Sequence, residues 1–231
     1  MKRDTLDLVL ADREAERPFV LATRLDTGDQ WLIRPDESGE DGVSHSLRES
    51  ALEALSVDRS TTVAIDEVDW FLQVFNSPVQ VILVGAVHIA QPLCRMAMVA
   101  GYRVMLVDPR EAFATEERFP GVRLIRAWPD EAFRNLRLDR RTAVVTLSHD
   151  PKFDDPALEL ALRSPVFYIG ALGSRRTHAK RCARLEAAGF GRADLDRIHG
   201  PVGLDIGART PGEIAVSVMA QLVDCLRAAD G

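Results

Sequence analysis

Apolar positions fall into two patterns along the chain, and the change between them comes at Asn76-Ser77-Pro78. Before it, residues 19–24 and 30–34 alternate apolar and polar side chains around an Asp-Thr-Gly-Asp turn, as the strands of a hairpin do. Residues 6–16 and 47–55 carry helical spacing, 37–42 is polar and glycine-containing, and 61–75 reads as one or two further strands. After it, nearly continuous β-branched runs at 79–84, 103–107, 122–125, 143–147 and 166–169 alternate with helical stretches. Strands that are apolar on both faces and separated by helices indicate a buried parallel sheet. The expected fold is therefore α/β: a Rossmann-like doubly wound parallel sheet over 78–231, preceded by a small α+β unit over 1–77.

Two helices of the second part are legible in detail. Ile89, Leu93, Met96, Ala97 and Ala100 form one apolar face, and Pro92 restricts that helix to a start near His88 or Ile89. At the C-terminal end, Thr210-Pro211-Gly212-Glu213 has capping-box spacing with proline at the first helical position. Ile214, Val218, Leu222, Cys225 and Leu226 follow as one stripe.

Composition narrows the class. The 231 residues are 46% hydrophobic and 28% charged, as in a globular protein with a sizeable core. A net charge of -6 argues against a general nucleic-acid binder, and no apolar run approaches the ~20 residues that a membrane helix needs. The three cysteines, Cys94, Cys182 and Cys225, form no Cys-x-x-Cys pair. Their number and the charged N-terminus, without the apolar core of a leader, point to a cytoplasmic protein and offer no metal motif.

Candidate chemistry gathers in four loops that such a sheet sends to the carboxyl ends of its strands, where ligands of open α/β sheets bind. Gly85-Ala86-Val87-His88-Ile89-Ala90 resembles a dinucleotide-binding turn: Gly85 makes the tight turn, Ala90 takes the third glycine's place, and Val87 stands where the second glycine would admit a pyrophosphate. Asp108 lies 23 residues after Gly85, in the place of the acid that accepts ribose hydroxyls, and it would equally serve to hold a turn beside Pro109. Ser148, His149 and Asp150 open a loop with three carboxylates in eight residues, readable as a polar clamp or as an acidic helix start. Gly170, Gly173, Ser174, Arg175 and Arg176 form a glycine-rich turn with two guanidinium groups at a helix start, a phosphate cradle. Lys180, Arg181 and Arg184 extend the positive charge and read in part as a solvated helix face. Asp205 and Arg209 give the last loop, with its three glycines and a proline, polar reach.

Six ordered stretches, GAVHIAQPL, LVDPREAFATEERFP, WPDEAF, LSHDPKFDDPAL, FYIGALGSRRTHAKR and IHGPVGLDIGARTPGEIAVSVMAQL, resemble the xanthine dehydrogenase accessory proteins of the XdhC/CoxI type over roughly residues 70–225. The resemblance implies an accessory protein for cofactor insertion that matures a molybdenum hydroxylase of the xanthine dehydrogenase or carbon monoxide dehydrogenase kind, and leaves open whether it is also an enzyme. It implies molybdenum cofactor (molybdopterin) as ligand, the hydroxylase apoenzyme and a sulfurtransferase as partners, and a homodimer. The Cys-Gly-Gly stretch that many members carry near the N-terminus has no counterpart, since the first cysteine is Cys94 in the first Rossmann helix. The alternative that the residues leave open is an NAD(P)-dependent oxidoreductase resting on Gly85 and Asp108.

Overall fold

The computed structural model describes residues 3–37 and 42–228, so most of the polar 37–42 stretch lies outside the described residues. These residues form two compact units that meet in sequence at Ser77–Pro78.

The first unit holds helices α1 (Arg3–Glu14) and α2 (His45–Ser56) and strands β1 (Phe19–Arg24), β2 (Gln30–Ile33), β3 (Thr61–Ile65) and β4 (Val68–Phe75). The strands make one antiparallel sheet in the order β2-β1-β4-β3. Gly28 takes φ +75° in the β1–β2 turn, which glycine adopts without steric cost. Buried Val20, Ala22 and Leu72 of the sheet pack with Leu47, Ala51 and Ala54 of α2, the helical face expected from spacing. Asp12 is buried in this unit and paired with Arg34 at 2.6 Å and Arg17 at 3.1 Å.

The second unit is the doubly wound sheet. Its strands are β5 (Gln80–Val84), β6 (Arg103–Val107), β7 (Arg123–Ile125), β8 (Thr142–Thr146), β9 (Tyr168–Ala171) and β10 (Ile198–His199). All pairings are parallel, in the order β10-β9-β8-β5-β6-β7. The order reverses at the β5–β8 boundary, the topological switch point where such sheets open a crevice. Helices α3 (Ala90–Val99) and α8 (Pro211–Ala228) cover one face. Helices α4 (Pro129–Arg134), α5 (Pro151–Leu162) and α6 (Arg175–Ala187), with the single turn α7 (Arg192–Leu195), cover the other. All five residues of β8 are buried, as the unbroken apolar run requires.

Helix starts follow the chemistry written in the sequence. Pro92 falls in the first turn of α3. At α8, Glu213 accepts the amides of Arg209 and Thr210 at 2.7 and 2.9 Å while the Thr210 hydroxyl accepts the Glu213 amide at 3.3 Å, a reciprocal box. Two elements have no periodic signature: β10 is two residues long and α7 four, too short for either period to show. No helix among the described residues is long and apolar enough to cross a membrane.

Candidate functional site

Because every strand of the second sheet runs the same way, the loops after β5, β6, β8, β9 and β10 leave from one edge. The turn after β5 is tight. Gly85 has φ +107°, and a Cβ there would lie 3.1–3.3 Å from Ser148, so the first two candidate loops touch backbone to backbone. Any larger residue would both strain the turn and push the loops apart.

Asp108 closes the same turn from the next strand. Its Oδ2 accepts the Ala86 amide at 2.7 Å, and Arg110 returns to it through its backbone amide, Nε and Nη2 at 2.9, 2.9 and 2.7 Å. The carboxylate is fully buried. Burial pushes its pKa up, but the Arg110 guanidinium and the two amides outweigh that and hold it below the ordinary carboxylate range. The two roles read for Asp108 thus separate. Its oxygens brace the loop backbone. The Arg110 guanidinium is itself sandwiched over Phe113 and Phe153, 4.8 and 5.2 Å from the ring centroids. His88 is exposed in the turn ahead of α3, and Ile89 packs against the core instead of facing a ligand.

The loop after β8 supplies the second set. His149 takes φ +63°, a left-handed conformation uncommon for residues other than glycine. Asp150 caps α5 by accepting the Lys152 amide at 3.0 Å. Ser148 accepts the Asp150 amide at 3.1 Å and donates to Asp154 Oδ1 at 2.7 Å. This hydroxyl therefore links the loop to a carboxylate on the first turn of α5 that is 1% exposed.

The loop after β9 divides. Gly170 is buried, and a Cβ there would meet Val202 at 2.6 Å and Tyr168 at 2.9 Å, so packing accounts for its missing side chain. Gly173, at φ +138°, makes the turn into α6, and Ser174 caps that helix through the Thr177 amide at 3.2 Å. The two arginines then part. Arg176 joins His149, Asp154, Thr177, Lys180, Arg181 and Arg184 around a cavity of about 270 Å³ between α5 and α6. Arg175 instead lines a cavity of about 310 Å³ beside the 201–208 loop, with Asp205 and Ser217. That last loop is anchored by Gln221, whose Oε1 accepts from the Gly203 amide at 2.8 Å and the Tyr168 hydroxyl at 2.7 Å. The candidate residues thus share an edge but sort into three places: a closed turn, a basic cavity and a glycine-loop cavity.

Arg181 and Asp154 carry more than their positions in the sequence suggest. Arg181 lies on the α6 face that packs on the sheet and is 2% exposed, where the run of basic residues predicts a solvated face. Its Nη2 donates to the Leu172 carbonyl at 2.8 Å and stands 3.6 Å from Asp154 Oδ2, while Nε, Nη1 and Asp154 Oδ2 have no hydrogen-bond partner. Burial raises the Asp154 pKa and lowers that of Arg181, with their mutual attraction working against both shifts. Spacing contained one clue: Arg181 is four residues from Leu185, which is buried in the core beneath α6.

The thiols are quiet. Cys94 is buried against the sheet, and burial pushes it up to about 12. Cys182 and Cys225 are half-buried, each with its sulfur 3.5 Å from a histidine Nε2, of His178 and His199 respectively. Among the described residues no three His, Cys, Asp or Glu side chains gather as metal ligands.

Comparison with known proteins adds the lineage. A family model described as the XdhC Rossmann domain matches residues 81–222. The chain is 33% identical over 154 residues, 66% of its length and 44% of the relative's, to a protein of Bacillus subtilis (strain 168) named as a probable xanthine dehydrogenase subunit. It is 29% identical over 168 residues, 70% of this chain and 30% of the other, to the uncharacterised protein YqeB of Escherichia coli (strain K12). A shorter match, 38% over 91 residues, 39% of this chain and 29% of the other, is to the molybdenum cofactor insertion chaperone PaoD of the same organism. The chain therefore spans less than half the length of these curated relatives. A crystal structure described as a xanthine dehydrogenase from Bacillus halodurans shares the fold, with a TM-score of 0.69 at 22% identity over 98% of this chain and 65% of that one.

Proposed function

The chain belongs to the XdhC Rossmann-domain family, and from that premise we propose that it is an accessory protein in the maturation of a molybdenum hydroxylase, holding molybdenum cofactor at the carboxyl edge of its parallel sheet for transfer to the apoenzyme. One observation carries the reading. The His149 loop and the Arg176 helix start, from neighbouring strands, enclose one cavity walled by basic side chains. Such a cavity suits the phosphate-bearing end of a pterin. The Cys94 thiol is buried on the other face of the sheet and takes no part in this cavity. The name of the Escherichia coli relative as a cofactor insertion chaperone supports the same role.

Under this reading the partners are the hydroxylase apoenzyme and a sulfurtransferase that acts on the bound cofactor, and a second copy of the chain completes a homodimer. The oxidoreductase alternative has less support. Asp108 spends its oxygens on Ala86 and Arg110, and Val87 stands in the place of the second glycine of a dinucleotide turn. The decisive experiment purifies the chain from cells that make the cofactor, denatures it and measures released pterin by fluorescence after oxidation. Enrichment over an unrelated protein of similar charge is expected, and equal amounts in both would sink the reading. Titration with NAD and NADP serves the alternative: saturable binding that Asp108→Ala removes would revive it.

A further inference from the structure

Arg181 is a buried guanidinium with donors left over. Nη2 is committed to the Leu172 carbonyl and faces Asp154, but Nε and Nη1 have no acceptor, and the side chain lines the cavity between α5 and α6. A charged donor taken out of water normally finds an acceptor, because leaving it bare forfeits its hydration with nothing in exchange. Three more cations surround the same cavity. Arg184 is spent on Asp155, through Nη2 at 2.9 Å and also through Nε. Arg176 and Lys180 have no ion pair among the described residues and are exposed at the mouth. Against these four cations the lining sets one carboxylate, Asp154, which Ser148 and Arg181 hold.

We propose that this cavity is a phosphate-group site, in which an oxyanion is held by Arg176 and Lys180 at the mouth and by the charge of the Arg181 guanidinium behind them, whose spare donors swing toward it on binding. It deepens the cofactor reading and rests on it for the identity of the natural ligand. Three facts favour a tetrahedral dianion. The donors come from two successive turns of one helix, at Arg176, Lys180 and Arg181. Thr177 lies in the same wall. The volume of about 270 Å³ admits a phosphate with room for water, yet not a whole pterin or nucleotide. Such an anion would be gripped by charge-assisted hydrogen bonds at its buried end and by looser ion pairs at its exposed one. Asp154 acts as a positioning residue: it holds the Arg181 guanidinium in place when no anion is bound.

Inorganic phosphate is the probe, titrated into the full chain by calorimetry and thermal melting against chloride at matched ionic strength. Saturable binding with a raised melting temperature is expected. Arg176→Ala with Lys180→Ala, both at exposed positions, should weaken it about tenfold or more. Because Arg181→Met alone leaves a buried carboxylate and threatens folding, the partner test is Asp154→Leu with Arg181→Met, which should fold and lose the phosphate response. No saturable binding, or a response unchanged in both double variants, overturns the proposal. Chromatography of the ligand released on heating the wild-type chain separates the sources. Released pterin, lost in Arg176→Ala with Lys180→Ala, assigns the phosphate to the cofactor. Released nucleotide keeps the site and overturns the cofactor reading. Pterin retained alongside failed phosphate binding does the reverse.

Discussion

Two Asp–Arg pairs lie at the same edge of one sheet, and they are built to opposite ends. Asp108 and Arg110 make a closed pair: every approach to the carboxylate is filled, by two amides and a guanidinium, and its pKa is held down. Asp154 and Arg181 make an open pair, 3.6 Å apart, with three polar atoms unpartnered and the Asp154 pKa pushed up by burial. The buried carboxylate of the closed pair is fully engaged by its own chain, so its oxygens serve the fold. The open pair holds unspent hydrogen-bonding capacity in a dry place, which is what a binding site keeps in reserve. Whether a carboxylate beside a Rossmann turn faces ligand or backbone is thus a matter of how many donors its own chain supplies.

The contrast can be broken by substitution. Arg181→Met should have the largest effect on stability, about 3–5 kcal/mol in urea unfolding, because it strands a buried carboxylate. Asp108→Ala should cost about 1–3 kcal/mol, since it leaves the Ala86 amide bare but frees Arg110 to reach water; a loss below about 0.5 kcal/mol would mean that the brace is unimportant. Removing both charges of the open pair, Asp154→Leu with Arg181→Met, should leave stability within about 1 kcal/mol of wild type, as apolar replacements of buried pairs often do. If that double variant unfolds, the open pair is a structural element like the closed one.

Titration sharpens the same comparison, and its signs are opposite. The Asp108 pKa is lowered from 3.8, so its contribution is complete above that value and lost as pH falls through the folded-state pKa. The Asp154 pKa is raised from 3.8, so its ionisation opposes folding and its contribution declines as pH rises above that value. Unfolding from about pH 3 to about pH 6 should show the stability advantage of wild type over Asp108→Asn growing with pH. The corresponding difference against Asp154→Asn should shrink. Parallel slopes for the two variants would remove the electrostatic distinction between the pairs.

Much of the fold could be read along the chain because its signals are local. The unbroken β-branched runs, the proline-limited start of α3 and the reciprocal cap of α8 each depend on residues within a few positions of one another. The short β10 escaped because two residues carry no period, and its place beside β9 comes from parallel pairing with a strand some thirty positions earlier. Candidate residues were legible as residue types at loop positions, but their directions were not. Arg175 and Arg176 are neighbours in sequence and, on a helix, point about 100° apart, so they line different cavities. Gly170, read as part of a cradle, is held to glycine by Val202 and Tyr168.

The chain's own order of apolar and polar residues determined the parallel sheet, its helices and the edge at which chemistry collects, because periodicity and capping act over one or two turns. Tertiary structure alone decided which charges are spent and which remain. Arg181, which reads as part of a solvated face, became a buried donor only because α6 turns it against α5, and Asp108 became a brace only because the parallel pairing of β5 and β6 brings the Ala86 amide onto it. Burial and partner count belong to three-dimensional neighbours, and those are not written at any fixed spacing.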